Sequence, residues 1–378
     1  MRPSLNRAGA PPNRHGRGFV LPCVTPEGTA RPGTVSRDPT MNARPQARKL
    51  SRFVILAIAA VAIAVGCEGA SADTPAAGHG GTEPMITDTA RLEDALRRHA
   101  AALSVDIGDR TPLRPEKLAR AADYIRGVFE QAGLTVTEQA YDYHGLRVAN
   151  LIAEAAGAGT TAPYYLIGAH YDTVPGTPGA DDNASGVAVL LELARRIAAR
   201  TPPVPLRFVA FTLEEPPAHA TRFQGSRVFV KELAASGGRV LGAIILEMVG
   251  FTAPRQAYPV FLRWAGYPEK GNFIGVVGNW RSRRFGRAVL RGMRKNPRLP
   301  VESVFVPLNG WVLPDTRLSD HAPFWDRGWP ALMITDTAFF RNPNYHTGRD
   351  TFETLDFAFM AELVGSLESA LDEMPPAR

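Results

Sequence analysis

Apolar runs and amphipathic stretches alternate along residues 87–378. Runs that are fully apolar or alternate with period two predict strands at 135–143, 148–153, 164–170, 206–213, 241–248, 273–277, 301–306 and 331–335. Apolar residues at helical spacing predict helices at 87–103, 114–132, 184–200, 224–235, 284–294, 320–327 and 357–371. Strands that alternate with helices in this way predict an α/β fold, with a mixed, mostly parallel central β-sheet and helices on both faces.

The first 86 residues have a different pattern. Residues 1–40 are rich in Pro, Gly and Arg without apolar periodicity, and we expect them to be disordered or untranslated in the cell. From Met41, a basic stretch precedes the unbroken apolar run 53–66, which is too short to span a bilayer comfortably and fits an export signal. We therefore interpret 41–72 as a signal peptide or lipoprotein signal, 73–86 as a flexible linker and 87–378 as one domain.

Two cleavage sites compete in this leader. Residues 64–67 resemble a bacterial lipobox, in which Cys67 would carry the lipid, whereas 70–72 has the small-x-small pattern of ordinary signal peptidase. An uncleaved anchor is a third possibility. The sequence predicts a secreted, periplasmic or cell-envelope lipoprotein of a bacterium, which contacts membrane only through a lipid at Cys67.

The charge of the chain belongs to the leader. The net charge is +6, but residues 1–67 contain ten Arg or Lys and two acidic residues, which leaves 33 basic and 35 acidic residues in the remainder. The body therefore offers no basic surface for a nucleic acid. Both cysteines, Cys23 and Cys67, also lie in the leader, so the body has no disulfide and no cysteine metal site or nucleophile.

Five nitrogen or oxygen donors stand at or just beyond the ends of predicted strands, or in the loops that follow them. They are His170, Asp181, Glu215, Glu247 and His346. The carboxyl ends of strands in an open α/β sheet are where ligands bind, and two imidazoles with three carboxylates suit zinc. Asp181 lies between the two halves of the set in sequence, so it is the natural bridge between two ions about 3.5–4 Å apart.

Three further residues have candidate catalytic roles. Glu214 neighbours Glu215 and must point elsewhere, so it could take a proton from metal-activated water and pass it to a leaving amine. Asp172, two residues after His170, could fix the tautomer of that imidazole. Tyr345 could donate a hydrogen bond to a developing oxyanion.

These motifs resemble one family in order and spacing. An HxD motif, GADDNASG, EE, a strand ending in an acid followed by Gly, SDH and YHT are similar to the M28 zinc exopeptidases, which include bacterial secreted aminopeptidases. The similarity covers roughly residues 88–372. It implies the zinc-exopeptidase (phosphorylase/hydrolase-like) fold, a peptidase domain at 87–378 and two zinc ions per chain.

The resemblance also implies roles for individual residues. His170 and Glu247 would bind one ion, Glu215 and His346 the other, and Asp181 would bridge them. Asp182 would follow a cis peptide bond, Glu214 would be the acid and base, and Tyr345 matches a catalytic tyrosine of some members. Glu247 is a departure, because many members have the shorter Asp there.

The expected function is a zinc-dependent aminopeptidase that hydrolyses the N-terminal bond of a peptide through a metal-bridging hydroxide, with Glu214 as general base. Alternatives are a glutaminyl-peptide cyclase, which is a single-zinc acyltransferase, and a non-catalytic binding protein with the M28 fold. Dipeptidase and carboxypeptidase activities, the side-chain preference and the oligomeric state stay open. The triplet 319–321 is not expected to be a serine triad, because sequence neighbours rarely converge and no G-x-S-x-G is present. Asp320 and His321 are instead expected to brace the site.

Overall fold

A computed structural model describes residues 88–154, 163–200, 204–258, 262–263 and 266–376. The predicted disordered start, export signal, linker and Cys67 lie outside these residues. All the described residues fall within one compact unit, 70–378. Among them, no helix has the length and apolar character that crossing a bilayer requires.

The described residues form one sheet of eight strands. The strands are β1 (Thr135–Tyr143), β2 (Leu146–Glu154), β3 (Tyr164–His170), β4 (Leu206–Phe211), β5 (Val240–Leu246), β6 (Ile274–Asn279), β7 (Val301–Val306) and β8 (Ala331–Thr335). Their order is β1-β2-β4-β3-β5-β8-β6-β7. The pairs β4/β3, β3/β5, β5/β8 and β6/β7 are parallel and the other three are antiparallel, so the predicted mixed, mostly parallel sheet is confirmed.

Helices cover both faces of the sheet. They are α1 (Asp88–Ala101), α2 (Pro115–Gln131), α3 (Gly186–Ala198), α4 (Gly225–Ala235), α5 (Arg283–Met293), α6 (Ala322–Asp326) and α7 (Phe357–Asp372). Pro115 begins α2, where its missing N–H costs nothing, and the Asp356 side chain caps α7 by accepting a hydrogen bond from the Phe359 amide.

Alternation along β3 divides the core into two. Tyr165 and Ile167 belong to a large cluster shared with α1, α2, α3, α5 and α7, whereas Leu166 points to the other face, where Phe229 of α4 and Trp325 of α6 pack. Every residue of β3 is buried, as expected for a central strand covered on both faces. The helices on both faces that the sequence predicts are therefore present.

Two strands that support the site are shorter than predicted. β4 stops at Phe211 rather than 213, and β5 stops at Leu246 rather than 248. Leu213 and Met248 have positive φ angles, of 54° and 49°, which are incompatible with an extended strand. Glu214, Glu215 and Glu247 therefore lie in irregular segments just beyond the strands rather than in them.

Candidate metal centre

The predicted ligands lie together at one edge of the sheet. His170 is the last residue of β3, Glu215 and Glu247 follow β4 and β5, and His346 lies in the loop after β8. Because β3 is parallel to both β4 and β5, and β5 is parallel to β8, the carboxyl ends of all four strands meet at this edge. The topology thus gathers residues that are far apart in sequence.

Asp182 joins these ligands into two half-sites. In the first half-site, Nε2 of His170 lies 3.5 Å from Oε2 of Glu247 and 3.4 Å from Oδ1 of Asp182. In the second half-site, Nε2 of His346 lies 3.3 Å from Oε2 of Glu215 and 3.2 Å from Oδ2 of Asp182. Asp182 thus presents one carboxylate oxygen to each histidine, which is the arrangement that a ligand shared by two cations requires.

The geometry corrects the expectation that Asp181 is the bridge. The carboxylate of Asp181 points away from the histidines and accepts hydrogen bonds from the Gly250 amide at 2.9 Å and from Nδ2 of Asn342 at 2.7 Å. The cis peptide bond is displaced in the same direction, because it follows Asp182 rather than preceding it. The sequence predicts a carboxylate from this pair, but not which of two adjacent side chains faces the site.

Other side chains hold the Asp182 loop in place. Both carboxylate oxygens of Asp350 accept hydrogen bonds, one from the Asp181 amide at 2.9 Å and the other from the Asp182 amide at 3.0 Å. The side chain of Asn183 donates to the Leu246 carbonyl and accepts from the Met248 amide, which ties the loop to the end of β5. Asp350 could not be predicted from the sequence, since a lone Asp in a distant loop offers no pattern.

Three buried atoms that could bind a metal ion have no hydrogen-bond partner among the described residues. Nε2 of His170, Oδ1 of Asp182 and Oε1 of Glu215 are buried, and none has a hydrogen-bond partner among the described residues. These three residues each offer a ligand atom within 4.8 Å of one another. Burial of unpaired polar atoms costs free energy unless a ligand satisfies them, so the donor set fits a metal ion.

The electrostatics of the cluster point the same way. Burial, reinforced by the Asp182 carboxylate, raises the pKa of Glu215 well above its usual value. Burial would lower the pKa of His346, but Asp182 and Glu215 outweigh it and raise that pKa to about 10. Without a cation, the cluster therefore retains protons to offset its negative charge, and divalent ions would replace those protons.

Glu214 lies beside the half-sites without belonging to either. Its Oε1 lies 2.9 Å from Nδ1 of His219, a residue that sequence analysis missed. Burial opposes ionisation of Glu214, but the hydrogen bond with His219 and the charge of His170 keep its pKa below the usual value. The hydrogen bond with Glu214 in turn raises the pKa of His219 to about 9. The pair holds the Glu214 carboxylate ionised and in a defined orientation.

Asp172 supports both the imidazole and the acidic turn. Nδ1 of His170 lies 3.2 Å from the Asp172 carbonyl oxygen and 3.6 Å from its carboxylate, so the main chain is the nearer partner of the ring. The carboxylate accepts hydrogen bonds from the amides of Glu214 at 2.9 Å and Glu215 at 3.0 Å. Asp172 thus positions three site residues rather than His170 alone.

The triplet 319–321 forms no serine triad. Oγ of Ser319 donates a 2.6 Å hydrogen bond to Oε2 of Glu247, so it is Ser319 that orients a ligand of the first half-site. Asp320 accepts from Gln224, and the His321 ring is hydrogen-bonded to the Thr316 carbonyl. Asp320 and His321 were expected to brace the site, but the residue of the triplet that contacts a ligand is Ser319.

A cavity that we call the aromatic pocket opens beside the first half-site. Its volume is about 140 Å³, and Glu247 and Tyr345 form the wall nearest the ligands. Tyr345 also stacks on His346, with ring centroids 3.7 Å apart, so it links the pocket to the second half-site. The remaining aromatic walls are Tyr258, Tyr267, Phe273, Phe339 and Phe340.

Known proteins share this sequence and architecture. Residues 150–364 match the family described as Peptidase family M28. The uncharacterised protein YfbL of Escherichia coli (strain K12) is 37% identical over 290 residues, which cover 74% of this chain and 87% of that protein.

Solved structures share the fold at lower identity. The LapA aminopeptidase of Legionella pneumophila has a TM-score of 0.57 and 20% identity, over 78% of this chain and 77% of its own. The glutaminyl cyclase of Tannerella forsythia has a TM-score of 0.55 and 22% identity, over 75% of this chain and 97% of its own.

The family match extends over both half-sites, from the strand before His170 to beyond His346. It includes Asp182, Glu214 and the turn that holds Glu247. The extent of this match and the similarity to YfbL over most of both chains identify the protein as a member of peptidase family M28.

Proposed function

We propose that this protein is a zinc-dependent aminopeptidase that binds two zinc ions and removes the N-terminal residue of peptides. The observation that carries the proposal is the position of Asp182, with one oxygen toward each histidine and buried donor atoms that lack protein partners. The Legionella structure that shares the fold is named an aminopeptidase, which supports the choice of this activity within the family.

The charges of the cluster favour two ions over one. When ionised, Asp182, Glu215 and Glu247 carry three negative charges, while neutral imidazoles carry none. A single Zn²⁺ would leave a net negative charge in a buried site, which disfavours a carbonyl oxygen on which negative charge develops. Two Zn²⁺ would leave the site slightly positive, which stabilises such an oxygen.

Glu214 is proposed as the proton carrier of the reaction. Zinc ions held by the two half-sites would activate water and polarise the scissile carbonyl. Glu214 takes the proton of the attacking water as the oxygen adds to the carbonyl carbon, and delivers it to the nitrogen as the C–N bond breaks. His219 keeps Oε1 of Glu214 in place for both transfers.

Tyr345 is proposed to stabilise the oxyanion. Its ring is held between His346 and Phe339, at centroid distances of 3.7 and 5.6 Å. No hydrogen bond engages its hydroxyl within the described part of the chain, so this O–H is free to donate to substrate. Burial, together with the negative charge of Asp182, raises the pKa of Tyr345, so the hydroxyl keeps its proton.

The test is Glu214→Gln, which removes the proton acceptor and keeps the shape of the side chain. We expect two zinc ions per chain, measured by elemental analysis, and a fall in kcat on a leucine anilide of about 10²–10⁴-fold. Glu269→Gln removes an exposed carboxylate that, among the residues described, pairs only with Arg263; it is the matched control and should leave kcat unchanged. Wild-type turnover in Glu214→Gln would refute the assigned role.

N-terminal blocking tests the aminopeptidase activity itself. A peptide with a free amino terminus should be shortened by one residue at a time, and its N-acetylated form should resist. Cleavage of the acetylated peptide at its carboxyl end would instead show a carboxypeptidase. A chelator should stop either reaction, and added zinc should restore it.

A glutaminyl cyclase is the second candidate, because the Tannerella cyclase is covered over 97% of its length by the match with this fold. That function predicts one zinc ion per chain and conversion of an N-terminal Gln peptide to pyroglutamate with loss of ammonia. Mass spectrometry separates the two activities, since cyclisation removes 17 mass units without breaking the chain. Two ions and release of free Gln favour the aminopeptidase.

We also propose that the protein acts outside the cytoplasm, anchored by a lipid on Cys67. The apolar run 53–66 and the lipobox-like residues 64–67 support this location. Cys67→Ser should move the protein from the membrane fraction to the soluble fraction. Equal partition of the two forms would refute the anchor.

A further inference from the structure

The aromatic pocket contains an acidic residue that the proposed chemistry does not use. Glu302 lies near the start of β7, the edge strand of the sheet, and lines the pocket together with the metal-cluster residue Glu247. No ion pair or hydrogen bond engages its carboxylate within the described part of the chain. Burial raises the pKa of Glu302, and Arg294 only partly opposes that effect. Such a carboxylate is costly to keep in an aromatic cavity unless a ligand uses it.

Strand direction explains how Glu302 reaches the metal edge. β6 is antiparallel to β8 and parallel to β7, so β6 and β7 begin where β3, β5 and β8 end. Thr335 of β8 pairs with Gly275 of β6, which pairs with Glu302 of β7. The amide of Glu247 bonds to the Ile334 carbonyl and extends the same row to β5.

This row forms the rim of the pocket, and it separates Glu247 from Glu302 by three strand spacings, or about 14 Å. Gly275 lies in the middle of the row and has no side chain to interrupt it. A Cβ at Gly275 would meet its nearest neighbour, the Thr335 carbonyl oxygen, at 3.4 Å, so the pocket rather than the protein would receive a side chain there. The next row, Met333, Val277 and Val304, forms an apolar floor.

All the charged side chains in the described lining of the pocket are acidic. Its described lining contains three acids, Glu247, Glu302 and Asp315, and no Lys, Arg or His. Two arginines outside the lining are already engaged: Arg294 donates to the Val301 carbonyl, and Arg341 donates to Gln256 and to the Phe273 carbonyl and lies over the Phe273 ring.

Of the three tyrosines that line the pocket, two already donate their hydroxyls within the protein, Tyr258 to the Pro268 carbonyl and Tyr267 to that of Ser303, whereas Tyr345 lies beside the metal cluster. The pocket thus has aromatic walls, an apolar floor and a free acid at its far end. Aromatic walls and an apolar floor suit an alkyl stem, and aromatic faces also attract cations.

We infer that the aromatic pocket binds the side chain of the N-terminal residue and that Glu302 makes it select lysine or arginine. This inference rests on the proposed aminopeptidase function. A residue whose amino group lies at the metal cluster would extend its stem along the Gly275 row toward β7. A long stem with a cationic head reaches the free carboxylate, whereas leucine fills only the near part of the pocket.

The test compares anilides of lysine and norleucine, which share a linear stem and differ in the terminal ammonium. We expect wild-type kcat/KM to favour lysine by about 10–100-fold, as for a hydrogen bond to a charged group. Glu302→Gln keeps the shape and removes the charge, so it should bring the ratio close to one, chiefly by lowering kcat/KM for the lysine substrate. Arginine and citrulline provide a second pair with the same logic.

Asp315→Asn is the matched control, because Asp315 is an exposed acid of the same pocket and should change the ratio much less. A wild type that cleaves norleucine and lysine equally, with no change in Glu302→Gln, would overturn the inference and leave the aminopeptidase function standing. Failure of the wild type to cleave any N-terminal residue would instead reject the proposed function.

Discussion

The two half-sites differ in how the chain supports them. His170 ends β3 and Glu247 directly follows the neighbouring strand β5, and the His170 side chain is completely buried. His346 lies instead in a turn of the loop after β8, has a positive φ of 55° and leaves 29% of its side chain exposed. The ligands of the first half-site thus lie in the sheet or directly after it, whereas the second half-site depends on His346 in a long loop.

This difference suggests that the two half-sites bind their ions with different affinities. Hydrogen bonds from Ser319 to Glu247 and between His170 and Asp172 hold the first half-site in place. In the second half-site, Glu215 is buried, but His346 is partly exposed and stacks on Tyr345. We expect the first ion to be held more tightly and the second to exchange faster, because outer hydrogen bonds orient ligands and raise affinity.

Loss of the shared ligand should have the largest effect, because it damages both half-sites at once. Asp182→Ala is expected to reduce bound zinc below one ion per chain and to abolish measurable turnover. Asp181→Asn should cost no more than about 10–100-fold in zinc affinity, because Asp181 only orients the surrounding loops. Zinc titration by calorimetry measures both variants. A larger loss of zinc affinity in Asp181→Asn than in Asp182→Ala would show that Asp181 is the bridge.

Replacing one histidine at a time should show what each half-site contributes to zinc binding and to stability. His346→Ala is expected to keep the zinc ion of the first half-site and to lose that of the second. Without metal, its melting temperature should be near that of the wild-type apoprotein, since the His346 side chain is partly exposed. His170→Ala should lose the zinc ion of the first half-site. It should also destabilise the fold, because it leaves a cavity among buried carboxylates. Elemental analysis and thermal unfolding without metal give the two readouts. Equal losses of zinc and stability in both variants would contradict the comparison.

The smallest expected effect comes from Ser319, which touches a ligand but not the ion. Ser319→Ala should lower zinc affinity at the first half-site by about 10–100-fold and leave the second unchanged. Ser236→Ala removes a hydroxyl that bonds only to an exposed helix end, and serves as the control. If Ser319→Ala bound zinc at the first half-site as tightly as the wild type, Glu247 would need no hydrogen bond from Ser319.

Much of the site could be predicted because its chemistry has a sequence pattern. His170, Glu215 and Glu247 each follow an apolar run, and His346 follows the last strand, so strand ends and donor types together indicated a metal cluster. Asp350, His219 and Ser319 could not be found in this way. Asp350 and Ser319 act through hydrogen bonds that span 72 residues or more, and His219 acts within an irregular turn; such contacts have no periodicity.

By itself, the sequence determined the α/β architecture, because burial requires apolar residues at period two in strands and at helical spacing in helices. It also determined the type of donor atom, because the body lacks cysteine and its candidate ligands are nitrogen and oxygen atoms. The tertiary structure alone decided that Asp182 rather than Asp181 lies between the histidines. It also brought Glu302, 55 residues beyond Glu247, to the opposite end of one row. Both outcomes depend on side-chain direction and strand order, which hydrogen bonds between distant segments determine and local pattern does not.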